Sequence, residues 1–243
     1  MRDWLTFSSL VPAGAAAALL LAAGRAMGVT ANGESAALAA SGTLFVYNVD
    51  RLRDLGADRA TAPQRTAFIE QHRGPILVLT VLAAICSGWL ALQASGEVLF
   101  LCGSVLGVGL LHRRLKQRDA WKALYVTAAW VSVTAGIPAF SAPDARATPW
   151  VLGVYSGAIG ANLLATQLRQ QFTKPGLLEA GCLAAAGMLA ALLGPADVSP
   201  LVCVPGCVAL ALTRFRPNER YGLVVVDGAL LLGGITAVAL QSL

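Results

Sequence analysis

Residues 75–94 read PILVLTVLAAICSGWLALQA, an uncharged apolar run of the length that crosses a lipid bilayer as a helix. The rest of the chain has the same character. Of its 243 residues, 56% are hydrophobic and 13% are charged, whereas a soluble globular protein carries roughly a quarter charged residues. The composition therefore predicts an integral membrane protein surrounded by the lipid bilayer.

Similar apolar runs recur along the chain between short polar breaks. They cover residues 9–28, 34–50, 75–94, 97–112, 121–140, 149–168, 176–194, 198–213 and 221–241. The fourth and eighth runs are short, so eight to ten spans are compatible with the pattern. Since the linkers leave no room for a soluble domain, residues 1–243 are expected to form a single integral membrane domain. The predicted fold is an all-α polytopic membrane helix bundle with about nine transmembrane helices.

The basic residues indicate how this bundle is oriented. If the nine runs span, 16 of the 18 Lys and Arg residues fall on the side of the N-terminus, and only Arg25 and Arg146 fall opposite. Cytoplasmic loops are enriched in Lys and Arg, so the N-terminus is expected inside and the C-terminus outside, in the cytoplasmic membrane of a prokaryote. Topology also accounts for the net charge of +5, and no nucleic-acid partner is expected.

Three aspartates close the second apolar run: Asp50, Asp54 and Asp58. Residues four apart in a helix share one face, so these carboxylates would repel one another unless a cation intervenes. Mg²⁺ prefers carboxylate oxygens and completes its coordination with water and phosphate. Gly56 favours a helix end before Asp58, which makes the first two aspartates the stronger pair. The alternative is a solvated helix end in which Asp54 and Asp58 pair with nearby arginines.

Residues around these acids form a recognisable series. Residues 50–54 read Asp-Arg-Leu-Arg-Asp, and Arg59, the pair Arg65-Thr66 and the turn Arg73-Gly74-Pro75-Ile76 follow. The series resembles the UbiA superfamily of intramembrane prenyltransferases, which bear an Asn-Asp-x-x-Asp-x-x-x-Asp motif after the second span, followed by Arg-Thr and Arg-Pro-Leu-like residues. Arg114-Leu115-Lys116, Lys122 and Pro138 are similar to the basic loop and following span of that family.

The resemblance implies helices around a central cavity and a Mg²⁺-dependent reaction. A polyprenyl diphosphate would ionise to an allylic cation, which an aromatic or other small lipophilic acceptor captures. Asp50 and Asp54 are implied as catalytic residues and, with Asp58, as metal ligands. The residues implied in substrate binding are Asn48, Arg51, Arg59, Lys116, Lys122, Asn162, Arg169 and Lys174.

The chain departs from the family pattern at both acidic motifs. With residues 50–54 aligned as above, Val46 and Tyr47 occupy the places of the leading Asn-Asp pair; either Asn48 substitutes, or the register shifts to Asp54 and Asp58. The second motif is expected at the end of the sixth run, where residues 161–171 read ANLLATQLRQQ and contain no carboxylate.

Without the second acidic motif, positive charge at Arg169 and Lys174 could bind diphosphate directly. A non-catalytic isoprenoid- or lipid-binding relative on the same scaffold is the alternative function. A small secondary transporter is less favoured and is motivated by Asp227 inside the last run. For Asp227, an ion pair with Arg220 and a place in the acceptor pocket are both open.

Two further patterns make structural predictions. Residues 63–73 are expected to form a short interfacial helix, which is either a lid with Arg65 and Arg73 facing inward or an ordinary amphipathic connector. The stripes Gly103-x-x-x-Gly107 and Gly153-x-x-x-Gly157 predict places where two helices approach closely.

Overall fold

The structure is a computed structural model that describes residues 2–30, 33–115, 119–142, 145–168 and 172–243; at residues 2, 57, 110–115 and 119–122 it describes the backbone alone. Within these ranges all regular structure is helical. The α-helices are α1 (Arg2–Phe7), α2 (Leu10–Ala26), α3 (Gly33–Arg53), α4 (Leu55–Thr61), α5 (Pro63–Gln71), α6 (Arg73–Gln93), α7 (Gly96–Leu115), α8 (Asp119–Val131), α9 (Ile137–Ala139), α10 (Thr148–Leu168), α11 (Lys174–Leu193), α12 (Cys203–Thr213), α13 (Glu219–Tyr221) and α14 (Asp227–Leu240).

Three segments with other helical geometry connect some of these helices. The π-helical segments Ser132–Gly136 and Gly222–Val226 continue α8 into α9 and α13 into α14, and the 3₁₀ segment Ala196–Val202 leads into α12. Pro200 lies inside the 3₁₀ segment.

The all-helical prediction is confirmed for the part of the chain that the structure describes. Each predicted apolar run coincides with a helical stretch. Among the described residues, five stretches are long and apolar enough to cross a membrane: Arg73–Gln93, Thr148–Leu168, Lys174–Leu193, Ala196–Thr213 and Glu219–Leu240. The helices of the first, fourth and fifth runs are also apolar, but their described parts are shorter than these five stretches. Helix α3, which corresponds to the second run, carries charged residues near both of its ends. The chain is therefore an integral membrane protein, and the count of nine spans stays a prediction.

The interior of the bundle forms around α2 and α10, whose residues are mostly buried. Helix α2 packs between α3 and α14, while α10 packs against α8 and α11, and α12 bridges α11 and α14. Helix α2 is rich in alanine, and small side chains let helix backbones approach closely. In contrast, α6 exposes an apolar stripe that includes Val78, Leu82 and Ile85, as expected of a surface that faces lipid.

The first and last long helices run parallel. At one end, Arg25 Nη1 donates to the carbonyl of Val238 at 2.5 Å, and Gln241 Nε2 donates to the carbonyl of Ala22 at 3.1 Å. At the other end, Arg220 Nη2 lies 3.2 Å from Asp3 Oδ1. These contacts join the stretch from α1 to α2 with the stretch from α13 to α14 at both of their ends.

The two glycine stripes have different outcomes. A Cβ on Gly157 would lie 2.6 Å from the carbonyl oxygen of Leu183 and 2.7 Å from the backbone nitrogen of Gly187. Close approach between α10 and α11 is therefore confirmed. The prediction for Gly103 and Gly107 is wrong as far as the described residues go, since none of their atoms outside the local backbone of α7 lies within 4 Å of a Cβ at either position.

Replacing Gly157 by alanine is expected to destabilise the protein. The added methyl would collide with backbone that has no side-chain freedom to move, and overpacking of this kind costs about 1–3 kcal/mol. Thermal unfolding of the purified protein, followed by circular dichroism, should show a midpoint several degrees lower. Gly181→Ala is the matched control on α11, because a Cβ there meets nothing within 4 Å; equal midpoints for both variants would contradict the packing described.

Candidate functional site

A small cavity lies inside the bundle where α2, α3, α8, α10 and α14 meet. Its volume is about 10 Å³, and its lining residues are Pro12, Ala15, Tyr47, Trp130, Ile159, Asn162, Leu163, Asp227 and Leu230. Such a volume holds about one water molecule. The cavity is therefore far smaller than one that accommodates an isoprenoid chain, and a substrate-sized central cavity stays a prediction.

Hydrogen bonds organise the polar side of this cavity. Trp130 Nε1 donates to Tyr47 Oη at 3.0 Å, and Asn162 Nδ2 donates to the carbonyl of Val226 at 2.8 Å. Both π-helical segments border the same place: one begins just after Trp130, and the other ends immediately before Asp227. Since π-helical turns are often found at functional sites, the cavity is the interior part of the candidate site.

The three predicted acids follow one another along a nearly continuous helix. The N–H of Asp54 donates to the carbonyl of Asp50 at 3.0 Å, and the N–H of Asp58 donates to that of Asp54 at 2.9 Å. Gly56 lies within α4, so the prediction that it ends the helix before Asp58 is wrong. The helical hydrogen bonds continue across the bend at Asp54, and a glycine inside a helix costs only about 1 kcal/mol.

The side chains of these acids have different surroundings. Asp50 is exposed and Asp54 is half-buried. Asp58 Oδ2 forms an ion pair with Arg65 Nη2 at 2.5 Å, with both side chains largely buried. This pair matches the alternative interpretation for Asp58. No group of three His, Cys, Asp or Glu side chains suited to a metal ion occurs among the described residues.

Arg59, expected to contact phosphate, is paired with an acid instead. Its Nη2 lies 2.6 Å from Glu70 Oε1, and both side chains are exposed. The hydrogen bond to Glu70, together with the attraction between the two charges, raises the pKa of the Arg59 guanidinium. An exposed ion pair of this kind contributes little to stability, so it would yield readily to a phosphate group.

Two predicted substrate-binding residues point inward from α3. Arg51 is 5% exposed and donates from Nη1 to the carbonyl of Phe7 at 2.7 Å. Its guanidinium also lies 5.8 Å from the ring centroid of Tyr47, a cation–π distance. Asn48 is 1% exposed, and its Oδ1 accepts a hydrogen bond from Ser9 Oγ at 2.6 Å. These residues face the turn between α1 and α2.

The remaining predicted residues are dispersed. Asn162 lines the cavity, and Lys174 is exposed at the start of α11. Lys116 and Arg169 lie outside the described residues, as does the side chain of Lys122. The structure thus brings Asn48 and Arg51 together on the inner side of α3 and places Asn162 at the cavity that Tyr47 also lines.

The short helix predicted for residues 63–73 is confirmed as α5, with Pro63 in its first turn. Arg65 faces inward as predicted, but Arg73 is exposed at the start of α6, so that part of the prediction is wrong. Phe68 packs edge-on against Trp4, with ring centroids 5.2 Å apart. These contacts hold α5 against α1.

Glu219 is a residue of this region that the sequence did not single out. It is 8% exposed, and its carboxylate oxygens accept hydrogen bonds from the backbone N–H groups of Gln64 and Arg65 at 3.2 and 2.9 Å. A carboxylate at a helix N-terminus is favourable because unpaired N–H groups and the positive end of the helix dipole meet there. Beside it, Arg220 Nε donates to Gln64 Oε1 at 2.9 Å, so Arg220 binds α5 and α1.

No protein-family model, curated protein or solved structure matches this chain. The resemblance to the UbiA superfamily therefore rests on the sequence pattern, which is strongest in residues 45–76.

Removing the carboxylate of Glu219 should loosen α5. Loss of a capping group costs about 1 kcal/mol, so Glu219→Ala is expected to accelerate amide hydrogen exchange at residues 64–68 by roughly fivefold, with Glu219→Gln intermediate. Glu34→Ala changes an exposed acid in the first turn of α3 and should leave that exchange unchanged. Unaltered exchange in Glu219→Ala would show that Glu219 does not hold the start of α5.

Proposed function

We propose that this protein transfers a prenyl group from a polyprenyl diphosphate to an aromatic or other small lipophilic acceptor within the membrane, as members of the UbiA superfamily do. One observation carries the proposal. Asp50 lies near the end of α3 and Asp54 follows it by four residues at the bend before α4, next to the turn in which Tyr47 reaches the cavity and Arg51 is buried. The end of α3 thus joins a carboxylate pair to a polar site inside the bundle.

The carboxylates of Asp50 and Asp54 suit Mg²⁺, which commonly takes one or two protein carboxylates and completes its octahedron with water and phosphate. Asp58 is a weaker candidate ligand, because it would first have to leave Arg65. When bound, Mg²⁺ would neutralise charge that develops on the departing diphosphate.

Other residues of the chain would bind and orient the substrate. Arg51 presents five N–H donors in all, and its bond to Phe7 occupies only part of that capacity. Arg59 and Lys174 offer exposed positive charge, and the resemblance assigns the same role to Lys116, Lys122 and Arg169. The apolar residues around the cavity would keep water away from a reactive allylic group, once the bundle opens enough to admit the isoprenoid.

The membrane placement belongs to the same proposal. The distribution of basic residues favours a cytoplasmic N-terminus and an external C-terminus in a prokaryotic membrane. The acids at the end of α3 would then lie at the cytoplasmic side, where diphosphate substrates are available.

A non-catalytic isoprenoid- or lipid-binding protein is the second candidate, and specific contacts favour it. Asp58 is held by Arg65, and Asn162, at the position of the second acidic motif, is held by the carbonyl of Val226. Residues committed to structural bonds are less available to a metal or a substrate. This candidate binds an isoprenoid without releasing pyrophosphate.

Pyrophosphate release distinguishes the two candidates. Purified protein in lipid nanodiscs, supplied with Mg²⁺, prenyl diphosphates of several lengths and a panel of aromatic acceptors, is expected to release pyrophosphate. The double variant Asp50→Asn/Asp54→Asn should release it at least about a hundredfold more slowly, because stabilisation of the leaving group is lost. Asp197→Asn, an exposed acid before α12, is the control and should retain the activity.

Full activity in the double variant would rule out the proposed role of these acids. Saturable isoprenoid binding without pyrophosphate release, for every combination of donor and acceptor, would instead favour the non-catalytic candidate.

A further inference from the structure

A groove opens at one end of the bundle, between α1, α5 and α13. Its volume is about 320 Å³, within the range of roughly 300–1,000 Å³ in which small molecules bind. Its walls include Asp3, Phe7, Gln64, Ala67 and Arg220. The groove contains none of the residues that the resemblance assigns to substrate or metal, and it shares no residue with the cavity inside the bundle. It is therefore a separate site.

Opposite charges lie side by side in this groove. Arg220 Nη2 donates to Asp3 Oδ1 at 3.2 Å, and Arg220 Nε donates to Gln64 Oε1 at 2.9 Å. Among the described residues, no hydrogen bond occupies Nη1 of Arg220 or Oδ2 of Asp3. About half of each charged side chain is exposed. An exposed ion pair contributes little to stability, so both groups remain available to a ligand.

The floor of the groove is aromatic. Phe7 and Phe68 both line it and are buried, and their ring centroids lie 5.5 Å apart. The guanidinium of Arg220 lies 6.0 Å from the ring centroid of Phe7, a cation–π distance. This contact holds the guanidinium at the groove without occupying any of its N–H groups.

The groove lies where the long helical stretches of the bundle begin. Helix α5 is followed directly by the crossing stretch Arg73–Gln93, α13 begins the crossing stretch Glu219–Leu240, and α1 leads into α2. Exposed apolar side chains, Leu5 of α1 and Leu77 of α6, lie close to it in sequence. The start of a membrane-crossing stretch lies at the level of the lipid head groups. A lipid head group is therefore the molecule that meets this groove.

We propose that the groove binds the head group of phosphatidylethanolamine, a zwitterionic lipid with a primary ammonium group. The lipid phosphate accepts hydrogen bonds from Nη1 of Arg220, and the ammonium group donates to Oδ2 of Asp3. Hydrogen bonds between charged groups are stronger than those between neutral ones. One positive and one negative side chain match the two charges of the head group. This site goes beyond prenyl transfer and does not rest on it.

Asp3 determines which head group is preferred. A primary ammonium group carries three N–H donors, whereas the trimethylated nitrogen of phosphatidylcholine carries none. Phosphatidylglycerol has no positive charge to place beside the carboxylate. All three lipids present the same phosphate to Arg220, so the difference between their affinities measures the contact with Asp3.

Calorimetric titration of the full chain in detergent micelles with short-chain forms of the three lipids, matched in their acyl chains, tests the proposal. Phosphatidylethanolamine is expected to bind saturably and about tenfold more tightly than the other two. Asp3→Asn should weaken its binding about tenfold and leave that of phosphatidylcholine unchanged. A purely structural role of Asp3 would affect both lipids alike. Asp197→Asn, an exposed acid outside the groove, is the control and should bind like the wild type.

Filling the groove provides a second test. Ala67 is an exposed residue of α5 in the groove wall, so Ala67→Phe is expected to lower the affinity for phosphatidylethanolamine at least about tenfold. Its thermal midpoint in detergent alone should equal that of the wild type. Ala60→Phe is the matched control, because Ala60 is also exposed but lies in α4, outside the groove.

Three outcomes would overturn the site: no saturable binding of phosphatidylethanolamine, equal affinity for all three lipids, or wild-type affinity in both Asp3→Asn and Ala67→Phe. If Ala67→Phe does not fold, Asp3→Asn decides alone, because it alters only an exposed ion pair. The titration contains no prenyl diphosphate, so a protein that never releases pyrophosphate is still expected to show the lipid preference.

Discussion

A single buried guanidinium joins the parts of the molecule on which the candidate site depends. Arg51 reaches from α3 to the carbonyl of Phe7 and thereby fixes the turn between α1 and α2 against the acidic end of α3. Phe7 in turn packs on Phe68 of α5. Since an arginine cannot lose its charge under ordinary conditions, its burial is tolerable only while these acceptors and the neighbouring acids stay in place. The geometry of the corner is therefore strongly coupled.

The helical stretches and their approximate limits could be predicted from the sequence because they follow from local properties. An apolar run of about 20 residues has few alternatives to a helix in lipid, and Pro63 marks the start of α5. The partners of each helix could not be predicted in this way. The two glycine stripes are identical as patterns, but among the described residues only the stripe of Gly153 and Gly157 meets another helix, because contact depends on which faces the complete bundle turns toward each other.

The same limit applies to the candidate site. Features set by neighbouring residues could be predicted from the sequence, and contacts between different helices could not. The helical spacing of Asp50, Asp54 and Asp58, which continues from α3 across the bend at Asp54 into α4, could be predicted from the sequence. Their surroundings could not, since the pairing of Asp58 with Arg65 depends on how α4 folds back onto α5. Glu219 was missed for a related reason: the backbone groups that it binds are 154 and 155 residues away. Trp130 did carry a signal, because a tryptophan in the interior of an apolar run lies away from the interfaces that this residue usually occupies.

The parallel packing of α2 and α14 has a consequence for how the protein is made. Arg25 binds a carbonyl that is 213 residues further along the chain, and α14 covers much of the alanine-rich surface of α2. During synthesis, α2 must therefore stay incompletely packed until the ribosome has delivered α14. The packing of α2 is complete only when α14 has bound to it. A nascent chain that stops before α14 would leave the alanine-rich surface of α2 exposed to other membrane proteins.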